Sequence, residues 1–365
     1  MARISILTPT LMPSDAVGND VLGMHEVLAR RNHEVHLFAE DWSVNGLEVN
    51  HVKDAAAYCD RADDILIYHH SIGWELGAEI LRSCRGLVVI KYHNVTPARF
   101  FAGLSAHHQT LCELGRRQLS AIASGEYAGY LAASEYNMRE LLDAGAPDAR
   151  TFVMRPFTHI QRLTAVVPDL EILDRYRDGR TNLLMVGSVR PNKGYASLIE
   201  AFAQYYYDFN CHSRLFIVGA EDPHLASYSA HLRHLAELLH VDQAIVFTGQ
   251  VPLEALKAYY LLADAFVITS EHEGFCVPLV EAMATKVPIA GYASAAIGET
   301  VGDCGILWDD RDPVLLGESI AMLTQDDATT ADVAQQAYRR YEQMFSNPVI
   351  ETQFLESMRA IGLDL

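Results

Sequence analysis

The amino-acid sequence predicts an α/β protein made of two doubly wound domains that face each other across an interdomain cleft. The chain has 365 residues, which is more than one ordinary core requires, and 50% of them are hydrophobic. Short apolar stretches alternate with segments of helical periodicity, as expected of parallel sheets that are covered by helices on both faces. This alternation begins near Arg3 and begins again near Asn182, which indicates two domains rather than one.

The first domain is predicted to span residues 1–158. Its expected strands are residues 3–8, 33–38, 64–68, 86–92 and 129–133, and its expected helices are residues 21–30 and 136–144. A C-terminal helix within residues 348–365 is expected to cross back to this domain, as explained below.

The second domain is predicted to span residues 159–347. Its expected strands are residues 182–186, 214–218, 245–248, 265–269 and 287–290, and its expected helices are residues 196–206, 231–239, 253–263 and 278–284. Residues 155–169 contain Pro156 and Pro168 and are a plausible hinge between the domains. Ligands of such sheets bind outside the carboxyl ends of the strands, so the loops there decide the function.

Composition excludes some functions. A net charge of −19 argues against a nucleic-acid partner, which requires a basic face. No apolar stretch approaches the roughly 20 residues that cross a bilayer. Six cysteines without a C-x-x-C pair are typical of reduced thiols, and we therefore expect a cytoplasmic protein.

The strongest motif follows the expected strand 265–269 and reads Glu271-His-Glu-Gly-Phe-Cys-Val-Pro-Leu-Val-Glu281. Proline suits the first turn of a helix, so a helix should begin near Val277. The N–H groups of Gly274, Phe275, Cys276 and Val277 would then lie at a helix N-terminus, open to an anion or to sugar hydroxyls. Glu273 and Glu281 are eight positions apart, close to two helical turns, so both are expected to face one side. The alternative is a surface helix with two solvated glutamates.

A second motif, Gly187-Ser-Val-Arg190-Pro-Asn-Lys193-Gly194, joins an expected strand to an expected helix. Arg190 and Lys193 place two cations close together in the more acidic half of the chain. An arginine fork with a lysine point charge suits a diphosphate. The loop matches neither the Walker pattern nor G-x-G-x-x-G, and the alternative is a solvated turn.

These two motifs, E-x7-E and G-x-x-R-x-x-K-G, resemble those of the retaining glycosyltransferases of the GT-B fold, family 4, which consist of two Rossmann-like domains. The resemblance covers about residues 182–312, is weaker over the first half, and includes closing helices at 341–361 that cross back to the first domain. It implies that Arg190 and Lys193 hold the diphosphate of a nucleotide-sugar donor. It also implies that Glu273 orients the donor sugar and that Glu281 binds the ribose.

The same resemblance assigns further residues to the donor. Gly187 belongs to the phosphate loop, the N–H groups of the Gly274–Val277 turn meet sugar and phosphate, and Thr248 and Gln250 lie where the family packs its base. Cys276 occupies a position where the family commonly has glycine, so its thiol should narrow the pocket.

Two loops of the first domain complete the expected site. The resemblance places His93, in the segment His93-Asn-Val-Thr-Pro97, against the donor sugar, although a histidine after a strand is more often structural. Gly18, in the loop from Pro13 to Asp20, is the counterpart of the family's glycine loop near the phosphates, with a plain turn as the alternative.

No metal or other cofactor is expected, because Arg190 and Lys193 can stabilise the leaving phosphate. Three histidine pairs lack carboxylates at ligand spacing and are interpreted as surface or packing residues: His69 and His70, His107 and His108, and His231 and His234. Asp310 and Asp312 imitate a D-x-D metal motif but are interpreted as solvated.

The resulting functional prediction is a metal-independent, retaining hexosyltransferase of polysaccharide biosynthesis. The His93–Pro97 segment is similar to bacterial polysaccharide mannosyltransferases, which favours GDP-mannose as donor, with UDP-glucose second. The expected acceptor is a glycan or a polyprenyl-diphosphate-linked glycan. The Arg99-Phe-Phe and Arg116-Arg117 stretches allow peripheral contact with the inner membrane face, or equally form an ordinary helix face. A sugar-nucleotide epimerase, a phosphorylase and a catalytically inactive sugar-nucleotide-binding protein remain alternatives.

Overall fold

The computed structural model describes residues 3–12 and 15–365. The chain divides into two compact units. Unit 1 contains the residues up to Arg99 together with His107–His159 and Ser346–Leu365, and unit 2 contains Phe100–Ala106 and Ile160–Phe345. The change of unit at His159 and Ile160 falls inside the expected hinge segment, residues 155–169.

Unit 1 contains a seven-stranded parallel sheet with the strand order β3-β2-β1-β4-β5-β6-β7. Its strands are β1 (Arg3–Leu11), β2 (Glu34–Trp42), β3 (Val49–His51), β4 (Ile65–His70), β5 (Leu87–Tyr92), β6 (Gly129–Ala132) and β7 (Thr151–Val153). The order reverses between β1 and β4, and the register pairs His69 of β4 with Lys91 of β5.

The helices of unit 1 are α1 (Ala16–Arg30), α2 (Glu75–Ser83), α3 (Ala106–Ala123), α4 (Glu135–Asp143) and, much later in the chain, α14 (Asn347–Ala360). The last helix belongs to the core, because Ile350, Phe354 and Met358 are buried with residues of β1 and α1 in one hydrophobic cluster. The closing helix that was expected within residues 348–365 corresponds to α14, and Ser346–Leu365 belong to unit 1.

Unit 2 repeats the plan with a six-stranded parallel sheet in the order β10-β9-β8-β11-β12-β13. Its strands are β8 (Thr181–Val186), β9 (Ser213–Val218), β10 (Ile245–Gly249), β11 (Ala265–Ile268), β12 (Ile289–Tyr292) and β13 (Ile306–Trp308). The strand order reverses between β8 and β11, which makes the carboxyl ends of these two strands the place where a doubly wound sheet binds ligands.

The described residues of unit 2 form nine α-helices: α5 (Ile160–Ala165), α6 (Leu170–Tyr176), α7 (Tyr195–Asp208), α8 (Ala226–Leu238), α9 (Leu253–Leu262), α10 (Val277–Ala284), α11 (Ile297–Val301), α12 (Pro313–Gln325) and α13 (Asp327–Met344). The prediction of two parallel α/β domains is confirmed. Each expected strand overlaps an observed one, whereas the three-residue strands β3, β7 and β13 were not predicted, because such short segments carry little periodicity.

The observed start of a helix differs from the predicted one where a capping side chain sets it. Helix α1 starts five residues earlier than residue 21, because the Asp15 carboxylate accepts hydrogen bonds from the N–H groups of Val17 and Gly18 at the helix N-terminus. No helix within the described ranges is long and apolar enough to cross a membrane. All six cysteines are free thiols.

Candidate active site

Two loops of unit 2 meet at the point where the strand order reverses. One follows β8 and runs from Gly187 to Gly194, and the other follows β11 and runs from Thr269 to Cys276. These are the two motifs selected from the sequence. The topology brings them together because β8 and β11 are neighbours in the sheet.

The first loop packs tightly on the second. Gly194 has a left-handed φ of +66°, and a Cβ atom there would lie 2.1 Å from the carbonyl oxygen of Thr269. Only glycine fits this close approach, since any other side chain would have to displace backbone. The Thr269 hydroxyl donates a 3.0 Å hydrogen bond to the Gly194 carbonyl, which fixes the same contact from the other side.

Asn192 joins the two loops through both its backbone and its side chain. Its carbonyl accepts a 2.8 Å hydrogen bond from the N–H of Glu271, and its Nδ2 donates to the carbonyl of His272 at 3.1 Å. Because Asn192 is buried, these bonds are shielded from water. They hold the neighbouring Lys193 at a fixed place beside the second loop.

Lys193 and Glu273 form the central ion pair of this site. The Lys193 Nζ lies 2.6 Å from Glu273 Oε1, and the two side chains are only 17% and 9% exposed. Burial by itself lowers the pKa of Lys193, but the nearby Glu273 carboxylate outweighs it, so the net pKa is raised. The lysine therefore stays charged and remains close enough to the surface to meet an anion.

Helix α10 begins at Val277, as the motif predicted. Cys276 precedes it with a left-handed φ of +73°, a conformation that glycine adopts more easily than other residues. Among the described residues, none accepts a backbone hydrogen bond from the N–H groups of residues 274–277. These donors, at the positive end of the helix dipole, suit an anionic ligand. Burial and the Glu273 carboxylate raise the pKa of the Cys276 thiol well above its ordinary value.

The two glutamates lie in different backbone settings. Glu273 lies in the turn before α10, because the left-handed Cys276 ends the helical geometry, whereas Glu281 lies within the helix. Glu281 Oε2 accepts a 2.6 Å hydrogen bond from the Tyr260 hydroxyl. Both glutamates are buried, so the alternative of a surface helix with solvated glutamates is also wrong.

Other donor-site candidates of unit 2 lie around this centre. Arg190 begins the turn before Lys193, is 41% exposed, and approaches Asp222 with an Nη2–Oδ2 distance of 3.7 Å. Gly187 directly follows β8, and its carbonyl accepts a 2.6 Å hydrogen bond from the Tyr195 hydroxyl. Thr248 lies in the edge strand β10, and Gln250 follows it as an exposed residue.

Phe275 is buried in the second loop. Its carbonyl accepts a 3.0 Å hydrogen bond from the Thr300 hydroxyl, and its ring packs edge-on against Phe345 with a centroid distance of 5.7 Å. Its side chain therefore anchors the turn, and only its backbone is available to a ligand.

In unit 1, His93 directly follows β5 and belongs to a buried polar cluster. Its Nε2 lies 2.9 Å from Nδ1 of His69 and 3.5 Å from Oδ2 of Asp20. Desolvation is the main reason that the pKa of His69 falls to about 3 and the pKa of His93 falls well below its ordinary value. Both imidazoles are therefore neutral near pH 7.

A buried lysine accompanies this cluster. Lys91 Nζ lies 3.7 Å from Asp20 Oδ2 and donates hydrogen bonds to the carbonyl oxygen and the sulfur of Met154. Burial raises the pKa of Asp20 to about 6 and lowers the pKa of Lys91 to about 8, and each group partly offsets the shift of the other. Asp20 Oδ1 also accepts a 2.9 Å hydrogen bond from the N–H of Phe157.

Sequence reasoning missed Asp20, His69 and Lys91. His69 was assigned to the surface or to packing because no carboxylate lay at ligand spacing in the chain, but the fold places Asp20 beside it. The available signal was Lys91: a lysine inside a continuous apolar strand requires a carboxylate partner. One ligand atom from each of Asp20, His69 and His93 lies within 4.8 Å of the others, so these three residues could hold a metal ion.

Gly18 lies in the first turn of α1, where a Cβ atom would approach the carbonyl oxygen of Met12 to 2.1 Å. This close packing is a structural reason for glycine. Pro13 and Ser14 of the same expected phosphate loop lie outside the described residues.

Several remaining candidates have structural roles. The Asp312 carboxylate caps helix α12 by accepting a hydrogen bond from the N–H of Val314. Phe101 is buried, and Arg116 is held inside unit 1 by Glu140 and by the carbonyl of Val95. These two side chains of the basic, aromatic stretch are therefore committed to packing rather than to a membrane surface.

Known proteins resemble this chain in part of its sequence and in its fold. The sequence model of the family described as glycosyl transferases group 1 matches residues 175–340. The D-inositol 3-phosphate glycosyltransferase of Corynebacterium efficiens is 34% identical over 157 residues, which are 42% of this chain and 36% of that protein. The O-antigen chain mannosyltransferase B of Escherichia coli is 29% identical over 145 residues, which are 40% of this chain and 37% of that protein. Each alignment thus spans little more than a third of the relative's length.

The likeness in three dimensions extends over the whole chain. Sucrose-phosphate synthase from Thermosynechococcus elongatus superposes with a TM-score of 0.80, covers 99% of both chains and is 18% identical in sequence. At that identity the superposition shows the fold alone. Residues 175–340 therefore match the glycosyl transferases group 1, and the chain as a whole has the GT-B fold.

Proposed function

We propose that this protein transfers a hexose from a nucleoside-diphosphate sugar to a glycan acceptor, with retention of anomeric configuration and without a metal ion. One observation carries the proposal. The Lys193–Glu273 pair and the N-terminus of α10 converge at the reversal point of the unit 2 sheet, where such sheets bind ligands.

The chemistry of the leaving group suits these residues. When the bond to the sugar breaks, negative charge grows on the β-phosphate and the sugar becomes oxocarbenium-like. The Lys193 ammonium, the Arg190 guanidinium and the N–H groups of residues 274–277 would stabilise that charge. Preorganised donors of this kind are worth about 3 kcal/mol each in closed sites. Glu273, within 2.6 Å of Lys193, would orient both the lysine and the sugar.

Independence from metal is part of the proposal, since local cations can replace Mg²⁺ at a diphosphate. Transfer should therefore survive EDTA. Complete loss of transfer on chelation, restored by Mn²⁺ or Mg²⁺, would contradict this part. Retention would be read from the anomeric proton of the first product by NMR.

For the donor we propose GDP-mannose first and UDP-glucose second. The mannosyltransferase among the similar proteins and the His93–Pro97 segment support this order. For the acceptor we propose a glycan or a polyprenyl-diphosphate-linked glycan, which would be reached in the cytoplasm, with peripheral contact at the membrane where the acceptor is lipid-linked. The charge of −19 gives no reason to expect a nucleic-acid partner.

The deciding experiment combines a thermal-shift screen with product analysis. GDP-mannose, UDP-glucose, GDP and UDP are each added at saturation, where a ligand at about 100 times its Kd adds about 2.7 kcal/mol of stability. The stabilising donor is then followed for release of free sugar or for transfer. Released or transferred hexose supports the proposal. An epimerised sugar nucleotide would establish an epimerase instead, and binding without turnover would establish an inactive binding protein.

A further inference from the structure

Two of the six cysteines lie side by side in unit 1, each directly after the end of a helix. Cys59 follows the short 3₁₀ helix Val52–Tyr58, and Cys84 follows α2. The two sulfur atoms lie within hydrogen-bonding contact of each other. Because β4 and α2 separate these cysteines in the sequence, only the fold brings the thiols together.

The backbone holds the two cysteines near the separation that a disulfide needs. The Arg85 N–H donates a 2.9 Å hydrogen bond to the Cys59 carbonyl. With ordinary bond lengths on either side, this hydrogen bond keeps the Cα atoms of Cys59 and Cys84 less than about 8 Å apart. A disulfide joins Cα atoms that are about 4.4–6.8 Å apart. The sulfur contact shows that the side chains point toward each other, as the bond requires.

The turn of the first cysteine is fixed on the loop of the second. The Leu87 N–H donates a 2.8 Å hydrogen bond to the Asp64 carbonyl, and a Cβ atom at Gly86 would lie 2.3 Å from that same oxygen. The Asp64 carboxylate in turn accepts a 2.8 Å hydrogen bond from Nε of Arg3 on β1. These contacts leave the two thiols little freedom to move apart.

The two thiols differ in access and in acidity. Cys59 is 1% exposed, whereas Cys84 is half-buried and can meet a small molecule from solvent. The contact with Cys84, together with burial, raises the pKa of Cys59. The contact with Cys59 lowers the pKa of Cys84, burial raises it, and the Gly86 N–H lowers it, so the net shift is downward. Cys84 is therefore the thiol that reacts first as a thiolate, with a protonated thiol beside it.

We propose that Cys59 and Cys84 are a site of reversible oxidation, at which a low-molecular-weight disulfide such as oxidised glutathione converts the two thiols into an intramolecular disulfide. The Cys84 thiolate attacks one sulfur of the small disulfide, so a mixed disulfide forms at Cys84 and one small thiolate leaves. Cys59 then loses its proton and attacks the Cys84 sulfur, and the second small thiolate leaves and takes up that proton. Two protein thiols are oxidised, and the small disulfide is reduced to two thiols.

A metal ion is the competing use of a cysteine pair, and the surroundings disfavour it. Among the described residues, no third histidine, cysteine or carboxylate completes a ligand set with these two thiols. A structural zinc site is tetrahedral and closed by protein ligands. The nearby Asp64 carboxylate is already bound by Arg3 and by the N–H of Arg61. Oxidation needs only the two sulfur atoms that the fold supplies, and it does not depend on the proposed function.

The test is oxidation of the folded, full-length protein by oxidised glutathione, followed by alkylation of the remaining thiols and tryptic mass mapping without reductant. Residues 54–61 and 83–85 are the tryptic peptides that carry the two cysteines. We expect to recover them as one disulfide-linked pair, and as separate peptides after dithiothreitol. No linked pair, or a pair that forms only after denaturation, would overturn the inference.

Two variants test the order of attack. Cys59→Ser keeps a polar hydrogen at the buried position but cannot complete the second step, so the glutathione adduct at Cys84 should rise at least about tenfold over the wild type. Cys59→Ala should give the same result with an apolar side chain, and circular dichroism confirms that each variant is folded. In Cys84→Ser, the buried Cys59 should stay reduced. An adduct on Cys59, or an unchanged adduct level at Cys84 in both Cys59 variants, would contradict the mechanism.

Cys304→Ser is the matched control. Cys304 is half-buried like Cys84, but it lies in unit 2 rather than in the pair. This variant should form the link between Cys59 and Cys84 at the wild-type rate and yield. An equal loss of that link in Cys304→Ser would show that the disulfide arises by unspecific thiol exchange, and would refute the site.

Discussion

Each unit of this protein contains a lysine beside a carboxylate. The two pairs differ in their charge separation, in their burial and in the direction of the lysine pKa shift. In unit 2, Lys193 and Glu273 are 2.6 Å apart, and their side chains are 17% and 9% exposed. In unit 1, Lys91 and Asp20 are 3.7 Å apart and fully buried. The pKa of Lys193 is raised, whereas the pKa of Lys91 is lowered to about 8.

The pKa values of the two lysines shift in opposite directions because their surroundings differ. Around Lys91 the cost of burial exceeds the attraction of Asp20. The Met154 carbonyl accepts a hydrogen bond from Lys91 and the Phe157 N–H donates one to Asp20, so this pair has a structural role. Around Lys193 the attraction of Glu273 exceeds the cost of burial, and the pair lies at loop ends where a ligand can approach. The same two residue types therefore serve stability in one unit and, we propose, chemistry in the other.

The largest expected effect is on stability. Lys91→Met leaves Asp20 buried without its cation, which should cost about 3 kcal/mol of unfolding free energy at pH 7, where both groups of the wild-type pair are mostly charged. The folded pKa of Asp20, about 6, lies above its ordinary value of 3.8, so the folded state keeps the proton at pH 5 and the cost should be smaller there. Urea unfolding at both pH values measures this.

Lys193→Met is the control for that stability measurement. The Lys193–Glu273 pair keeps some access to solvent, so this variant should destabilise the protein less than Lys91→Met does. If Lys193→Met proved more destabilising than Lys91→Met, the distinction between the two pairs would be wrong.

The next effect is on turnover. Lys193→Ala removes a cation from the proposed leaving-group site and should slow transfer roughly 10²-fold with the fold intact. Lys257→Ala removes the same charge elsewhere in unit 2, where Lys257 contacts the carbonyls of Thr164 and Val166, and should leave turnover unchanged. Initial rates with saturating donor, together with circular dichroism, test this, and equal rates for the two variants would defeat the phosphate assignment.

Substitutions of the two glutamates should affect different kinetic parameters. Glu281 is assigned to the ribose, which does not react, so Glu281→Gln should mainly raise the donor KM, by about tenfold. Glu273 is assigned near the reacting sugar, so Glu273→Gln should lower kcat more than it raises KM. Steady-state kinetics with varied donor resolve the two, and the reverse pattern would mean that the helix is placed wrongly relative to the donor.

The smallest effect concerns Cys276. Relief of its left-handed backbone should offset the lost thiol packing, so Cys276→Gly should change the unfolding free energy by less than about 1 kcal/mol and leave transfer intact. Cys276→Val puts a β-branched side chain at the same φ and should cost about 1–2 kcal/mol. A large loss of transfer in Cys276→Gly alone would show that the thiol, rather than the backbone, serves the site.

The sequence was sufficient to locate the two loops of the unit 2 site because the signals that define them are local. The strand before Gly187, the strand before Glu271 and the proline that opens α10 each lie within a few residues of the loop they define, and parallel-sheet topology then joins those loops. Residue spacing was a poorer guide to backbone conformation, because it did not indicate that the left-handed Cys276 separates Glu273 from the helix that contains Glu281.

Unit 1 was less predictable because its polar cluster is assembled from distant parts of the chain. Asp20 comes from α1, His69 from the end of β4 and His93 from the loop after β5. The sequence around His69 does not indicate that Asp20 lies beside it in the fold. Only the strand order and the packing of α1 on the sheet bring these residues within hydrogen-bonding reach.

The return of α14 to unit 1 has a consequence for biosynthesis. Ile350, Phe354 and Met358 belong to the core of the unit whose first strand begins at Arg3. A ribosome therefore makes every residue of unit 2 before it makes the helix that completes unit 1. Domains usually fold in the order in which they are translated. Here the order is inverted, because the sequence of unit 2 is complete before that of unit 1. Unit 1 cannot complete its core until α14 has been translated, and an apolar face of its sheet stays uncovered until then.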